Sequence, residues 1–430
     1  MPSVTGFEVQ RAQLPTQDAA GTNRAEGVVV VTLRTDDGNL RGHGLVACPP
    51  PALRLVSNVA NLVGPATIGA DVDALVTDPA TVWKTLRRRP ELRLIESETG
   101  WIRLARAAVL DALWDLAATA AGLPLWKLLA DLSPARLAAC VDFRDLSDAL
   151  SPDGAVQLIS QRVAGRAARE SQLRRDGYPA AVFVAVDGGS EAVNRRVTTA
   201  LQAGWSRLRI EVPRPIDEAV RVLDDVRRAA GANTTLQIQL GGGWEVEATA
   251  TLARALVDRP GCWLVEPLTG SDAPNLGACR VDGGPELAAG AGSVSRIGAK
   301  HLLRGQAIDA FRLDAARLGG YDEAIAVLLL AARYRIPVWP SGTGPGAAER
   351  CAQLGALDHV AIGASLDARA ADARSGGPQL VAHPAMAGAG RYTPALHPGS
   401  GSRLRDDVAA RVGLRAGAGA VGSSSGEQQA

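Results

Sequence analysis

The sequence predicts an α/β protein, a (β/α)8 TIM-like barrel preceded by an N-terminal α+β capping domain. From about residue 150 onward, short apolar runs alternate with helical stretches, which is the pattern of βα units around a parallel sheet. Eight such runs fit a closed barrel of roughly 250 residues, and no GxGxxG fingerprint opens the first unit as it would in an open dinucleotide-binding sheet. The residues ahead of them follow another order, strands first and helices afterwards.

In that leading part, Gly6 to Gln10 and Gly27 to Thr35 have strand character. A turn at Asp36-Asp37-Gly38-Asn39 leads into a third strand, Leu40 to Cys48, so a small antiparallel sheet is expected. After Pro49-Pro50-Pro51 the period becomes helical. It is clearest from Trp101 to Ala121, where Leu104, Ala107, Ala108, Leu110, Leu113, Trp114 and Leu116 make a broad apolar stripe. The expected barrel strands are Ala180 to Val186, Arg207 to Val212, Thr235 to Leu240, Cys262 to Glu266, Glu286 to Gly290, Ala310 to Asp314, Ile336 to Pro340 and Val360 to Ser365. The expected division is therefore residues 1–150 for the cap and 151–370 for the barrel, with segments near 370–414 packing on the cap. Residues 415–430, rich in Gly, Ala and Ser, read as a flexible tail.

Composition narrows the function. The chain has 430 residues, 47% of them hydrophobic, so it can bury a large core. Lys+Arg 46 against Asp+Glu 45 leaves a formal charge of +1, without the positive field of a nucleic-acid or anionic-membrane binder. No run reaches the roughly 18 to 20 apolar residues of a membrane span, and the N-terminus has no signal-peptide pattern, so a cytoplasmic address and a small-molecule substrate are expected. Cys48, Cys140, Cys262, Cys279 and Cys351 are widely spread without a CxxC pair and read as reduced thiols. Lysine occurs only at Lys84, Lys127 and Lys300, so a lysine base has few places to sit.

Barrel chemistry sits at the C-terminal ends of the strands. Those ends are polar here: Arg209 and Glu211, Gln237 and Gln239, Arg312 and Asp314, then Ser341, and Asp367 beyond the last run. Residues two apart share a strand face, so each pair is aligned. Gly241-Gly242-Gly243 lacks the Lys-Ser/Thr of a phosphate loop. His43, His301, His359, His383 and His397 form no HxxH-type cluster and read as surface or core residues.

The chain resembles the mandelate racemase branch of the enolase superfamily, most closely the L-fuconate dehydratase group. The resemblance is carried by Ala107 to Leu116, Leu125 to Leu129, Val141-Asp142-Phe143-Arg144, Gly177-Tyr178-Pro179-Ala180, Gly204-Trp205-Ser206-Arg207, Arg317-Leu318-Gly319 and Ala364-Ser365-Leu366. It implies a cap over the barrel mouth, a homo-oligomer, and Mg²⁺ held by three carboxylates to stabilise an enediolate. At the positions matching those ligands stand Gln239, Val265 and Ala291, with Glu266 the neighbouring acid kept before Pro267. The Lys-x-Lys positions are Arg209 and Glu211, the His-Asp dyad becomes Ser341 with Asp314, and the terminal acid matches Asp367. The cap loop around Thr16 to Glu26 is short against the family pattern.

These replacements predict no Mg²⁺ and no other cofactor, because Mg²⁺ demands hard oxygen ligands in near-octahedral array. Arginine stays protonated and cannot serve as a base, so Arg209 is expected to bind a carboxylate or oxyanion, with Gln239, Arg312, Ser341 and Glu266 beside it. Glu211 is either a base raised by burial or the ion-pair partner of Arg209. Asp314 either moves a proton or pairs with Arg312 or Arg317. Asp367 either assists a leaving group or caps a helix. The expected function is metal-independent acid/base chemistry (dehydration, elimination, isomerisation or cyclisation) on a small carboxylate- or carbonyl-bearing metabolite. The alternative is a pseudoenzyme that binds a small molecule or acts as a scaffold, and a dehydratase with its metal site rebuilt around Glu266 and Asp314 comes last.

Overall fold

The computed structural model describes residues 2–17, 23–87, 100–240, 244–268, 272–373 and 379–414. Residues 241–243 and 415–430, where a glycine loop and a flexible tail are expected, lie outside the described residues, as does part of the cap loop. Three antiparallel strands, β1 (Val4–Gln17), β2 (Asn23–Thr35) and β3 (Arg41–Cys48), form the N-terminal sheet. The Val28-Val29-Val30-Val31 run in β2 is apolar without interruption because both of its faces are covered. Val29, Val31 and Leu33 join the main core with the helices Leu53–Val63 and Trp101–Ala120. Val28 and Val30 pack instead with Leu14, Leu45, Leu380, Val381, Leu404 and Val408, so the chain's C-terminal segment closes the other face.

The sheet meets the helix Trp101–Ala120 through two glycines of β3. A Cβ on Gly44 would lie 1.8 Å from the Ala108 carbonyl oxygen, and one on Gly42 2.2 Å from that of Ala112. The same helix presents Arg103, Asp111 and Asp115, spaced by turns along one face, toward the barrel side. Arg103 pairs at 2.6 Å with Glu323, which also holds Arg296 at 2.6 Å. Asp111 accepts from Arg350 and from the Tyr321 backbone N–H, and Asp115 accepts from the N–H and hydroxyl of Ser400 at 2.6 and 2.8 Å. The cap helix is thus joined to the barrel helices Tyr321–Tyr334 and Ala347–Leu357 by buried charge.

The barrel strands are β4 (Tyr178–Phe183), β5 (Arg207–Val212), β6 (Thr235–Leu240), β7 (Cys262–Val265), β8 (Glu286–Ala289), β9 (Ala310–Asp314), β10 (Val338–Ser341) and β11 (Ala371–Asp372). They run parallel in sequence order from β4 to β10, and β11 returns to pair with the far side of β4. A short hairpin, β12 (Ala387–Gly388) with β13 (Arg391–Tyr392), adds antiparallel to β4. The barrel interior is plugged by Ala181, Trp263, Val265, Ala288, Ala310, Trp339 and Ala370, with the two indoles 4.7 Å apart.

The expected eighth strand is corrected. Val360 to Ile362 lie in a buried π-helical turn, Asp358–Ile362, that continues the helix Ala347–Leu357. A short apolar run is equally compatible with a buried helix and a buried strand. The true strand, β11, lies about ten residues later and moves the eighth strand end from Ser365, with Asp367 just beyond it, to Asp372.

All five cysteines are buried and free. Burial pushes Cys48 up to about 11 and Cys351 well above the ordinary thiol value, so neither is a ready nucleophile. Among the described residues no helix is long and apolar enough to cross a membrane.

Gly44→Ala is expected to lower unfolding stability by about 1–3 kcal/mol through overpacking against the helix backbone. Gly38→Ala, where a Cβ meets nothing within 4 Å, is expected to leave the urea midpoint near that of the parent. The two melts measured side by side check the seam.

Candidate active site

The strand ends open into a cavity of about 570 Å³ at the barrel mouth. Of the residues picked from the sequence it gathers Arg209, Glu211, Gln239, Glu266, Arg312, Asp314 and Ser341, and it adds Asp372. None of the three lysines lines it. Lys127 is tied to Asp131 and Glu170, and Lys300 to Asp148.

Asp372 organises the floor. Its Oδ2 accepts from Arg312 Nη2 at 2.7 Å and also from Arg209 Nη1. The strand pairing explains the convergence: β11 adjoins β4, so Asp372 reaches Arg209 across β4 and Arg312 across β10. Burial alone would push the Asp372 carboxyl up, but the two guanidiniums outweigh it and hold the carboxyl below its ordinary value. Arg209 and Arg312 are 8% and 5% exposed, so these charges are nearly dry.

Glu211 is therefore not the partner of Arg209. It is exposed at the rim and has no hydrogen-bond or ion-pair partner among the described residues. This corrects both halves of the expectation, burial and pairing. Asp314 takes the second of its two anticipated partners, Arg317, with Nε to Oδ2 at 2.7 Å. Its Oδ1 accepts from the backbone N–H groups of Ala316 and Arg317 at 3.0 and 3.1 Å, so the carboxylate is fully engaged in shaping a turn. The Ser341 hydroxyl donates to the Leu313 carbonyl at 3.2 Å. Asp367 is exposed on the loop before β11 and is not among the residues lining the cavity. Its N–H is bonded to Ser365 Oγ and it caps no helix, so the strand shift removes it from the mouth.

Glu266 is the carboxyl best placed for proton chemistry. It closes β7 at φ +46°, a left-handed backbone that costs a non-glycine residue about 1–3 kcal/mol and recurs at functional sites. Its Oε1 accepts from the Ala291 N–H at 2.9 Å. Burial pushes its pKa above the ordinary glutamate value, against the downward pull of Arg312 and of that hydrogen bond. Gln239 is half-buried on the wall of the same cavity.

The residues present do not fit the Mg²⁺ site that the resemblance implies. Of the matching positions, Gln239 offers one amide, Val265 is fully buried among apolar side chains, and both backbone groups of Ala291 are taken by Glu266 and Arg317. Asp314 and Asp372 are neutralised by guanidiniums, and Arg209, Arg312 and Arg317 bring positive charge into the cavity. Among the described residues no group of three or more His, Cys, Asp or Glu could hold a metal ion. No step through Mg²⁺ follows from this donor set.

Comparison with known proteins agrees with this architecture. Residues 1–130 match the mandelate racemase / muconate lactonizing enzyme N-terminal domain, and residues 192–408 match the enolase C-terminal domain-like family. The chain is 29% identical over 422 residues to mitochondrial enolase superfamily member 1 of Bos taurus, covering 95% of each chain. It is also 29% identical over 378 residues to an L-galactonate dehydratase of Hypocrea jecorina, covering 85% of this chain and 84% of that one. The crystal structure of human mitochondrial enolase superfamily member 1 superposes with a TM-score of 0.86 at 26% identity, covering 95% of both chains.

Asp372→Asn is expected to destabilise the fold by about 3–5 kcal/mol, because two buried guanidiniums lose their counter-charge. The native pKa of Asp372 is depressed, so its stabilisation is present above the ordinary aspartate value and is lost as pH falls through the native one. The gap between wild type and variant should therefore shrink as the pH drops below about 4, as denaturant melts at stepped pH will show.

Proposed function

The chain belongs to the mandelate racemase and muconate lactonizing enzyme family of the enolase superfamily, and from that membership we propose that it carries out acid/base chemistry without Mg²⁺. The substrate class is a small carboxylate- or carbonyl-bearing metabolite, and the reaction a dehydration, elimination, isomerisation or cyclisation. The observation that carries the reading is Glu266, a half-buried carboxyl with a raised pKa, facing the same cavity as the unpaired Glu211 and two guanidiniums. Carboxyls in unlike environments divide naturally into acid and base roles.

In this scheme Glu211 takes the proton from the carbon next to the substrate carbonyl. The electron pair moves onto the carbonyl oxygen, and the resulting oxyanion is met by the N–H groups of Arg209 and Arg312, whose charge is already in place. Glu266 gives its proton to the departing hydroxyl, which leaves as water, or to carbon when the outcome is isomerisation. Gln239 and Ser341 contribute to the wall that positions the substrate. Asp314 holds the turn that carries Arg317 and moves no proton.

A second reading is favoured by a specific observation: the oxygens of Asp314 and the hydroxyl of Ser341 are already consumed by internal bonds. In that reading the mouth binds a small molecule without turning it over.

The test is deuterium incorporation from D₂O into a panel of sugar acids and other α-substituted carboxylates, followed by NMR with EDTA or with Mg²⁺. Exchange is expected to survive EDTA and to fall by at least about 100-fold in Glu266→Gln, the scale of general acid–base catalysis. Exchange that requires Mg²⁺, or that is untouched by Glu266→Gln, contradicts the proposal. Saturable binding of a panel member without exchange favours the second reading.

A further inference from the structure

We propose that the barrel interior holds a receptor for one monoanionic group, built from Arg209, Arg312 and Gln237 and pre-set by Asp372. The inference rests on the reading of the mouth as a ligand site but not on turnover.

The first support is an imbalance of donors. Each guanidinium carries five N–H donors, and among the described residues each has one nitrogen on a single shared acceptor, Oδ2 of Asp372. Nε of Arg209 and Nε of Arg312 are buried with no hydrogen-bond partner. Gln237, 1% exposed, leaves its Nε2 without a partner as well. It is paired in register with Arg209 on the neighbouring strand, so its side chain leaves the sheet on the same, inward face. A barrel core that buries three unanswered donors carries a standing cost; Arg209 and Arg312 line the cavity, and Gln237 lies inward beside Arg209, beneath the lining residues.

The second support is an imbalance of charge. Two guanidiniums share one carboxylate, while Asp314 is matched by Arg317. On the floor itself two guanidiniums meet one carboxylate oxygen, an arrangement that favours a negative charge beside them and disfavours a cation, while Glu211 stands exposed at the rim. Asp372 acts as a positioning residue: by engaging one N–H of each fork it fixes both planes while the remaining N–H groups stay available. Guanidinium forks suit a planar carboxylate, which can accept in bidentate fashion. The same donors also accept an inorganic anion, so the ligand chemistry is that of a small monoanion from either source.

Calorimetric titration of the full chain with sodium chloride, formate and acetate, run in a zwitterionic buffer, tests the proposal. One saturable site per chain is expected. Formate and acetate bound more tightly than chloride identify an organic carboxylate as the occupant, and the reverse order identifies an inorganic anion. Gln237→Leu is expected to weaken binding at least fivefold without lowering the melting temperature of the unliganded protein. Arg312→Lys, which keeps the charge but loses the fork, should flatten the preference for carboxylates. No saturable heat with any probe in the folded wild type overturns the receptor, and equal affinity in wild type and Gln237→Leu overturns the role of Gln237. Probe binding without exchange in D₂O leaves the receptor standing and removes the catalytic reading, whereas exchange without probe binding does the opposite.

Discussion

One carboxylate oxygen, Oδ2 of Asp372, holds two guanidiniums that come from opposite sides of the barrel. The constraint behind it is electrostatic. Arg209 and Arg312 cannot be left in a nearly dry interior without a counter-charge, and β11 is the strand that supplies one to both. β11 is only two residues long and pairs with β4, so the ionic contact also ties the last strand to β5 and β9 from the inside. The floor of the mouth is thus a fixed set of charges, and the cavity above it inherits donors from both guanidiniums. Glu266 and Glu211 act against that background, one half-buried and one exposed at the rim.

The same logic runs through the joint between cap and barrel. Arg103, Asp111 and Asp115 place charge on one face of a helix that is otherwise an apolar stripe, and each finds a buried partner on or near the barrel. Gly42 and Gly44 let the sheet approach the back of that helix at backbone distance. Buried charge thus fixes the cap helix against the barrel helices that it meets.

Much of the fold was legible in the sequence because period and punctuation carry it. Seven barrel strands fall within a few residues of their expected positions, and the N-terminal sheet follows its turn signals. The eighth strand was not legible. Val360-Ala361-Ile362 has the composition of a strand yet extends a helix, whereas Arg369-Ala370-Ala371-Asp372-Ala373 is short and charged and holds the real one. That displacement carried the site with it: Asp367 stood where Asp372 belongs, and Glu211 was offered as the partner of an arginine that β11 already serves. The signal that points to Asp372 is the requirement itself, since two inward arginines demand an inward acid from a nearby strand. Asp314 shows the limit of reading residue types. A carboxylate at a strand end looks catalytic until its oxygens are found holding backbone N–H groups and Arg317.

On the proposed reading the arginines of the barrel mouth engage Asp372 and Asp314, and the oxygens that remain do not make a ligand set for a divalent cation. Calorimetric titration of chelator-stripped protein with Mg²⁺, paired with a melting curve at saturating Mg²⁺, tests it most directly. The account predicts no stoichiometric heat and no shift in melting temperature beyond that given by the same ionic strength of a monovalent salt. One tightly bound equivalent of Mg²⁺ with a matching rise in melting temperature, lost when Glu266 or Asp314 is replaced, would contradict it.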